Sequence, residues 1–117
     1  MESFSLRADK EIDALVVSWN PETPSVVRVS GELDASSSSL LSSAIDRVIE
    51  YGRSTVTVDM VDVTFIDSSG LGSLIAGYKK AESSGGNLSV TSPAESVTRL
   101  LRLTGQYERF VGPLPPT

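Results

Sequence analysis

The sequence predicts a single-domain α/β fold: a mixed β-sheet with a parallel majority, helices mainly on one face, in the order β-β-α-β-α-β-α. Three observations predict it. Alternating or β-branched apolar runs recur at 14–19, 26–33, 55–60 and 88–91. Stretches with apolar residues at helical spacing follow the second, third and fourth of these runs. Strands joined through helices must pair in parallel with right-handed crossovers, because a parallel neighbour cannot be reached by a tight turn. At 117 residues the chain is about one domain, and no repeat or linker divides it.

The elements follow in order. The run 14–19 ends at a turn holding Pro21 and Pro24, neither of which fits a central strand. At 26–33, Val27, Val29 and Gly31 share one face, and Arg28, Ser30 and Glu32 the other. The short link between the two runs predicts an antiparallel pair. Asp34 and the serines at 36–39 offer helix caps, and Leu40, Leu41, Ala44, Ile45, Val48 and Ile49 form a helical stripe that Gly52 stops. After the strand at 55–60, a second helix is predicted over 68–83, with Leu71, Leu74, Ile75 and Tyr78 inward and Lys79 and Lys80 near its end. A loop at 83–87 and a strand at 88–91 lead to a third helix. It is predicted to open with Pro93 at its first position, to carry Val97, Leu100, Leu101 and Thr104 on one side, and to stop at Gly105. Residues 106–111 are expected to add a final short strand, and 112–117 to form a disordered tail. Three helices are few for covering two faces, so they are expected to crowd onto one.

Composition excludes several functions. The chain has no His and no Cys, which removes zinc fingers, thiol redox centres, thiol nucleophiles and a Ser-His-Asp triad. No calcium-loop spacing is present. A net charge of −5 argues against a nucleic-acid partner. Apolar runs such as 14–17 fall far short of the ~20 residues that cross a bilayer. The first ten residues lack a basic-then-apolar signal pattern, so the expectation is a soluble, cytoplasmic protein without a membrane partner. No catalytic residue, metal site or cofactor is predicted.

The segment Phe65-Ile66-Asp67-Ser68-Ser69-Gly70-Leu71-Gly72 stands between a strand and a helix. Ser68 lies where free backbone amides and the positive end of the helix dipole converge. The plain reading is capping, with Asp67 or Ser68 as the cap. A phosphate-binding loop is poorly served, because the lysine and the glycine spacing of the known loops are missing. A hydrolase elbow lacks its G-x-S-x-G pattern and any His base. Two readings remain besides capping: a regulatory phosphorylation site, since a phosphoserine is electrostatically welcome at a helix start, and an unmodified docking surface.

Asp67-Ser68-Ser69-Gly70-Leu71-Gly72 resembles the signature of the anti-sigma factor antagonists of the STAS domain family. Gly31-Glu32-Leu33-Asp34 resembles the family's G-E-L-D element. The stretch from Val56 through Ile66 resembles its central strand, and Pro93, Val97, Leu100-Leu101 and Thr104-Gly105 resemble its later P-x-x-x-V-x-x-L-L-x-x-T-G segment. The resemblance covers roughly residues 14–111 and implies a STAS-like fold. It also implies a role. The unphosphorylated antagonist binds an anti-sigma factor with serine kinase activity, phosphorylation of the serine after the motif aspartate (here Ser68) releases it, and a serine phosphatase resets it. The docking face implied is Asp34, Asp67, Ser69, Gly70, Leu71 and Gly72, with Glu32 at its margin. Asp67 either orients the hydroxyl or caps the helix, and Asp34 is also a candidate cap for the helix over 40–51. Gly70 and Gly72 are expected to keep the surface low for a partner. The alternative is a constitutive STAS scaffold in a sensory or transport complex, without a switch. The chain departs from the resemblance in having Gln106 where the family has Leu, and a proline-rich end in place of a final helix. That departure predicts uncovered apolar surface around Tyr107 and Phe110, which would favour self-association, and leaves the oligomeric state open.

Overall fold

Alternation builds the first half of the molecule. A computed structural model of the chain describes residues 2–9 and 14–112. β1 (Phe4–Ala8), β2 (Leu15–Trp19) and β3 (Val26–Leu33) form an antiparallel meander, and β4 (Thr55–Ile66) and β5 (Asn87–Thr91) continue the sheet in parallel. Strand order equals chain order. The helices are α1 (Ser38–Glu50), α2 (Ser68–Ser83), α3 (Glu95–Leu103) and the single turn α4 (Tyr107–Phe110).

The core lies on one side of the sheet. Leu15, Val17 and Trp19 of β2, Val27, Val29 and Leu33 of β3, Val56, Val58 and Met60 of β4, and Leu88 and Val90 of β5 are buried. They join Leu41, Ile45 and Val48 of α1, Leu71 and Leu74 of α2, Val97 and Leu101 of α3, and Phe110 of α4 in one cluster. The intervening strand residues, such as Arg28, Thr57 and Asp59, are half-buried or exposed. The helices therefore gather on one face, as their small number predicted. None among the described residues is long and apolar enough to cross a membrane.

Four details differ from expectation. The sheet has two antiparallel and two parallel pairings rather than a parallel majority, because residues 4–8 form an unforeseen strand. That strand is held by distant partners: Phe4 stacks on Trp19 with centroids 5.8 Å apart, and the Arg47 guanidinium lies 4.0 Å from the Phe4 ring centroid. The strand predicted over 55–60 runs on to Ile66, with register shifts against β3 that absorb extra residues. Pro93 does not open α3. The Ala94 amide still bonds the Met60 carbonyl (3.3 Å), so the chain stays tied to the sheet and the helix starts at Glu95. Finally, 106–111 is no strand. The chain turns at Gly105 (φ +71°) and coils into α4, where Phe110 is 1% exposed and meets Tyr78 edge-on. A short apolar run fits helix or strand equally, and core packing decides. The apolar surface expected there is closed: Phe110 is buried, and Tyr107 is half-buried with the Arg102 guanidinium 5.0 Å from its ring centroid. Of the predicted tail, residues 113–117 lie outside the described residues.

Candidate functional site

The parallel pairing of β3 and β4 sets two strand ends side by side. Leu33 registers with Ile66, and the Asp67 amide donates to the Leu33 carbonyl at 3.3 Å. Asp34 and Asp67 thus leave neighbouring strands at the same end of the sheet. That is where parallel α/β sheets place their variable, ligand-facing loops.

Asp67 is the cap of α2. Its backbone is extended (φ −120°, ψ −171°), and its Oδ1 accepts from the Ser69 amide at 2.9 Å and the Gly70 amide at 3.1 Å. Its carbonyl accepts from the Leu71 amide at 3.0 Å. Because the carboxylate does the capping, the Ser68 hydroxyl is left out of that task. Ser68 is the first residue of α2 and is exposed, whereas Ser69 is half-buried.

The two motif glycines part company. Gly70 is buried, and a Cβ there would stand 2.7 Å from the Leu33 carbonyl oxygen, 2.8 Å from Leu33 Cγ and 2.9 Å from Ile66 Cγ1. Its lack of a side chain lets α2 approach the ends of β3 and β4. This corrects the expectation that Gly70 lowers the outer surface: it is an inward contact. Gly72 is exposed, and a Cβ there would meet nothing within 4 Å. Leu71 is only 7% exposed and points its bulk to the core. Of the docking residues the resemblance implied, Gly70 and Leu71 thus support the rim from beneath, while Gly72 lies on the surface. Ser73 closes the first turn by donating to the Gly70 carbonyl at 2.7 Å.

Asp34 is half-buried and does not cap α1. Its Oδ1 accepts from the Ser36 amide (3.0 Å), the Ser36 hydroxyl (2.7 Å) and, more distantly, the Ser37 hydroxyl (3.3 Å). Its carbonyl accepts from the Ser37 and Ser38 amides. It closes a turn between β3 and α1. Ser37 holds the cap position of α1, yet its side chain makes no capping bond. The sequence offered Ser37 only as one of several possible caps, and did not show the inward role of Gly70. The available signals were a serine three residues after a turn-forming aspartate and a helix-breaking glycine inside a predicted first turn. Phe65 was also overlooked as a surface residue. It is 46% exposed, registers beside Glu32 and stands two residues before Asp67.

The rim therefore carries three carboxylates (Glu32, Asp34, Asp67), an exposed hydroxyl on a helix start and an exposed aromatic ring. No group of side chains among the described residues is arranged to hold a metal ion. The arrangement suits acceptance of a group at Ser68 Oγ. The positive end of α2 favours added negative charge.

Residues 16–111 match the family described as Mlab, STAS domain. The anti-sigma F factor antagonist of Paenibacillus polymyxa is 32% identical over 84 residues, which are 71% of this chain and 72% of that protein. A crystal structure of an anti-sigma factor antagonist from Mycobacterium paratuberculosis aligns with a TM-score of 0.60 and 30% identity, over 99% of this chain and 87% of the other. The Bacillus cell fate determinant SpoIIAA, solved in its phosphorylated form, aligns with a TM-score of 0.59 over 95% of this chain and 92% of that one. At 18% identity, that last likeness is one of fold.

Proposed function

The chain belongs to the STAS domain family, and from that premise we propose that it is an anti-sigma factor antagonist switched by phosphorylation of Ser68. Unphosphorylated, it binds an anti-sigma factor that is also an ATP-dependent serine kinase, and so frees a sigma factor for transcription. The kinase transfers the γ-phosphoryl group of ATP to Ser68 Oγ. The O–H bond breaks, the P–O ester bond forms, and ADP and a proton leave. The antagonist then lets go, and a serine phosphatase hydrolyses the ester to reset it. ATP and its metal ion belong to the kinase, so this chain is a substrate rather than an enzyme. It works in the cytoplasm and engages neither nucleic acid nor membrane.

The observation that carries this reading is the division of labour at the start of α2. Asp67 supplies the cap, and the next residue offers an exposed hydroxyl. A phosphate there adds about −1.5 to −2 charge to a rim that already holds Glu32, Asp34 and Asp67. Repulsion and desolvation at a partner surface, rather than unfolding, then end the complex. The family relatives named as anti-sigma factor antagonists support the partner class. Ser69 is the competing acceptor, and its half-buried position and amide bond to Asp67 favour Ser68. Asp34, Asp67, Ser69 and Gly72 form the docking face, with Phe65 beside them.

Mass spectrometry of the protein purified from its own cells tests this. The expected result is one phosphate on the peptide containing Ser68, absent from Ser68→Ala. Unchanged labelling in Ser68→Ala rejects the site.

A further inference from the structure

Ser37 is fully buried, one of two buried polar side chains among the described residues. It occupies the cap position of α1, where a serine hydroxyl ordinarily accepts from the second or third helical amide. It makes no such bond. Its hydroxyl instead donates to the Glu32 carbonyl at 2.9 Å and accepts from the Asp34 amide at 3.1 Å. A local rule is set aside here, and such departures concentrate where a structure serves something other than local stability.

The two bonds bracket Leu33. Ser37 grips the residue before it and the residue after it, so the Leu33 peptide is held on both sides. The Leu33 carbonyl is also the group that accepts from the Asp67 amide and the nearest atom to the Gly70 Cα-hydrogen side, where a Cβ would stand at 2.7 Å. One buried hydroxyl on the β3–α1 turn thus fixes the carbonyl against which the start of α2 is seated. Asp67, through its bonds to the Ser69 and Gly70 amides, sets how Ser68 is presented. The geometry points to Ser37 as a positioning residue for the Ser68 phosphoacceptor, acting through Leu33 and Asp67 without touching the hydroxyl itself. This rests on the reading of Ser68 as the residue phosphorylated.

The test uses the full chain with the anti-sigma factor serine kinases encoded in its own genome, each supplied with ATP and Mg²⁺. For Ser37→Ala, kcat for labelling of Ser68 is expected to fall about tenfold while KM moves by less than about twofold, since a displaced acceptor costs rate more than docking. Measured well below the unfolding midpoint, a purely structural loss moves neither constant. Ser37→Thr keeps the hydroxyl and is expected to recover the rate. Native-state amide exchange is read in parallel, and in Ser37→Ala faster exchange is expected at Asp34, Asp67 and Ser69, with α3 unchanged. An unchanged kcat in folded Ser37→Ala overturns the inference, as does an equal loss in Ser37→Thr when both variants retain folded amide spectra. If wild-type chain takes no label from any of the kinases, the phosphorylation reading fails by itself. Exchange then decides Ser37: local acceleration at Asp67 supports its positioning part, and unchanged exchange there overturns it.

Discussion

Two strand-to-helix junctions stand side by side at one end of the sheet, and they use the same residue types in opposite ways. At β4–α2 the aspartate is itself the cap, bonding two amides and leaving the following serine outside. At β3–α1 the aspartate comes three residues before the cap position. It closes a turn on Ser36, and the serine at the cap is buried and bonded backward to the strand. The first junction displays a hydroxyl; the second conceals one. An acidic residue followed by serines therefore does not define a site. What matters is whether the carboxylate or the hydroxyl reaches the free amides, because that decides which group remains for a partner.

The glycines of the displaying junction offer the largest test of this contrast. In Gly70→Ala the new methyl group meets the Leu33 backbone at 2.7 Å, which no side-chain rotation relieves. The expected loss is about 2–3 kcal/mol of unfolding free energy. Gly72→Ala, two residues on, meets nothing and is expected to gain up to about 1 kcal/mol from helix propensity. Paired urea titrations read both. Equal midpoints for the two variants break the distinction between an inward and an outward glycine.

The cap gives the next largest effect. Asp67→Ala removes the acceptor of two amide bonds and is expected to lose about 1–2 kcal/mol. Asp67→Asn, which keeps a capping oxygen, recovers most of it. Asp34→Ala opens the turn on Ser36 without removing a helix cap, and a smaller shift in the same titration sharpens the difference between the junctions. A loss at Asp34 equal to that at Asp67 removes it.

The helices that leave the two junctions are tied further along, and there the expected effect is smallest. Lys80 of α2 reaches Asp46 at 3.1 Å and Glu50 at 3.6 Å on α1. The hydrogen bond to Asp46 raises the ammonium pKa above its usual 10.5, with the charges of Asp46 and Glu50 adding to it against partial desolvation. A raised folded pKa means that the tie contributes fully below the unfolded value and is lost as pH climbs through the folded one. Exposure and salt keep it weak. Melting curves of wild type and Lys80→Met are expected to differ slightly at neutral pH and to converge on the alkaline side of 10.5. A gap that widens there contradicts the sign.

Much of this architecture was written in local patterns. Period-two alternation at 26–33 and the helical stripes at 40–51 and 68–83 each need one covered face, and α2 begins and ends at the predicted residues. The motif at 67–72 put an aspartate, a hydroxyl and glycines at a strand end in advance of any structure, and so marked where the second helix begins. Tertiary structure decided the rest. Residues 4–8 form a strand by pairing with β2, with Trp19 and Arg47 packed on Phe4. Residues 107–110 coiled because Phe110 found a place in the core beside Tyr78. Gly70 took its role from Leu33, a neighbour more than thirty residues away in the chain, through a close backbone contact. Periodicity reports which face of a segment needs covering. It does not report what covers it, because burial and hydrogen-bond pairing are settled between residues far apart in the chain.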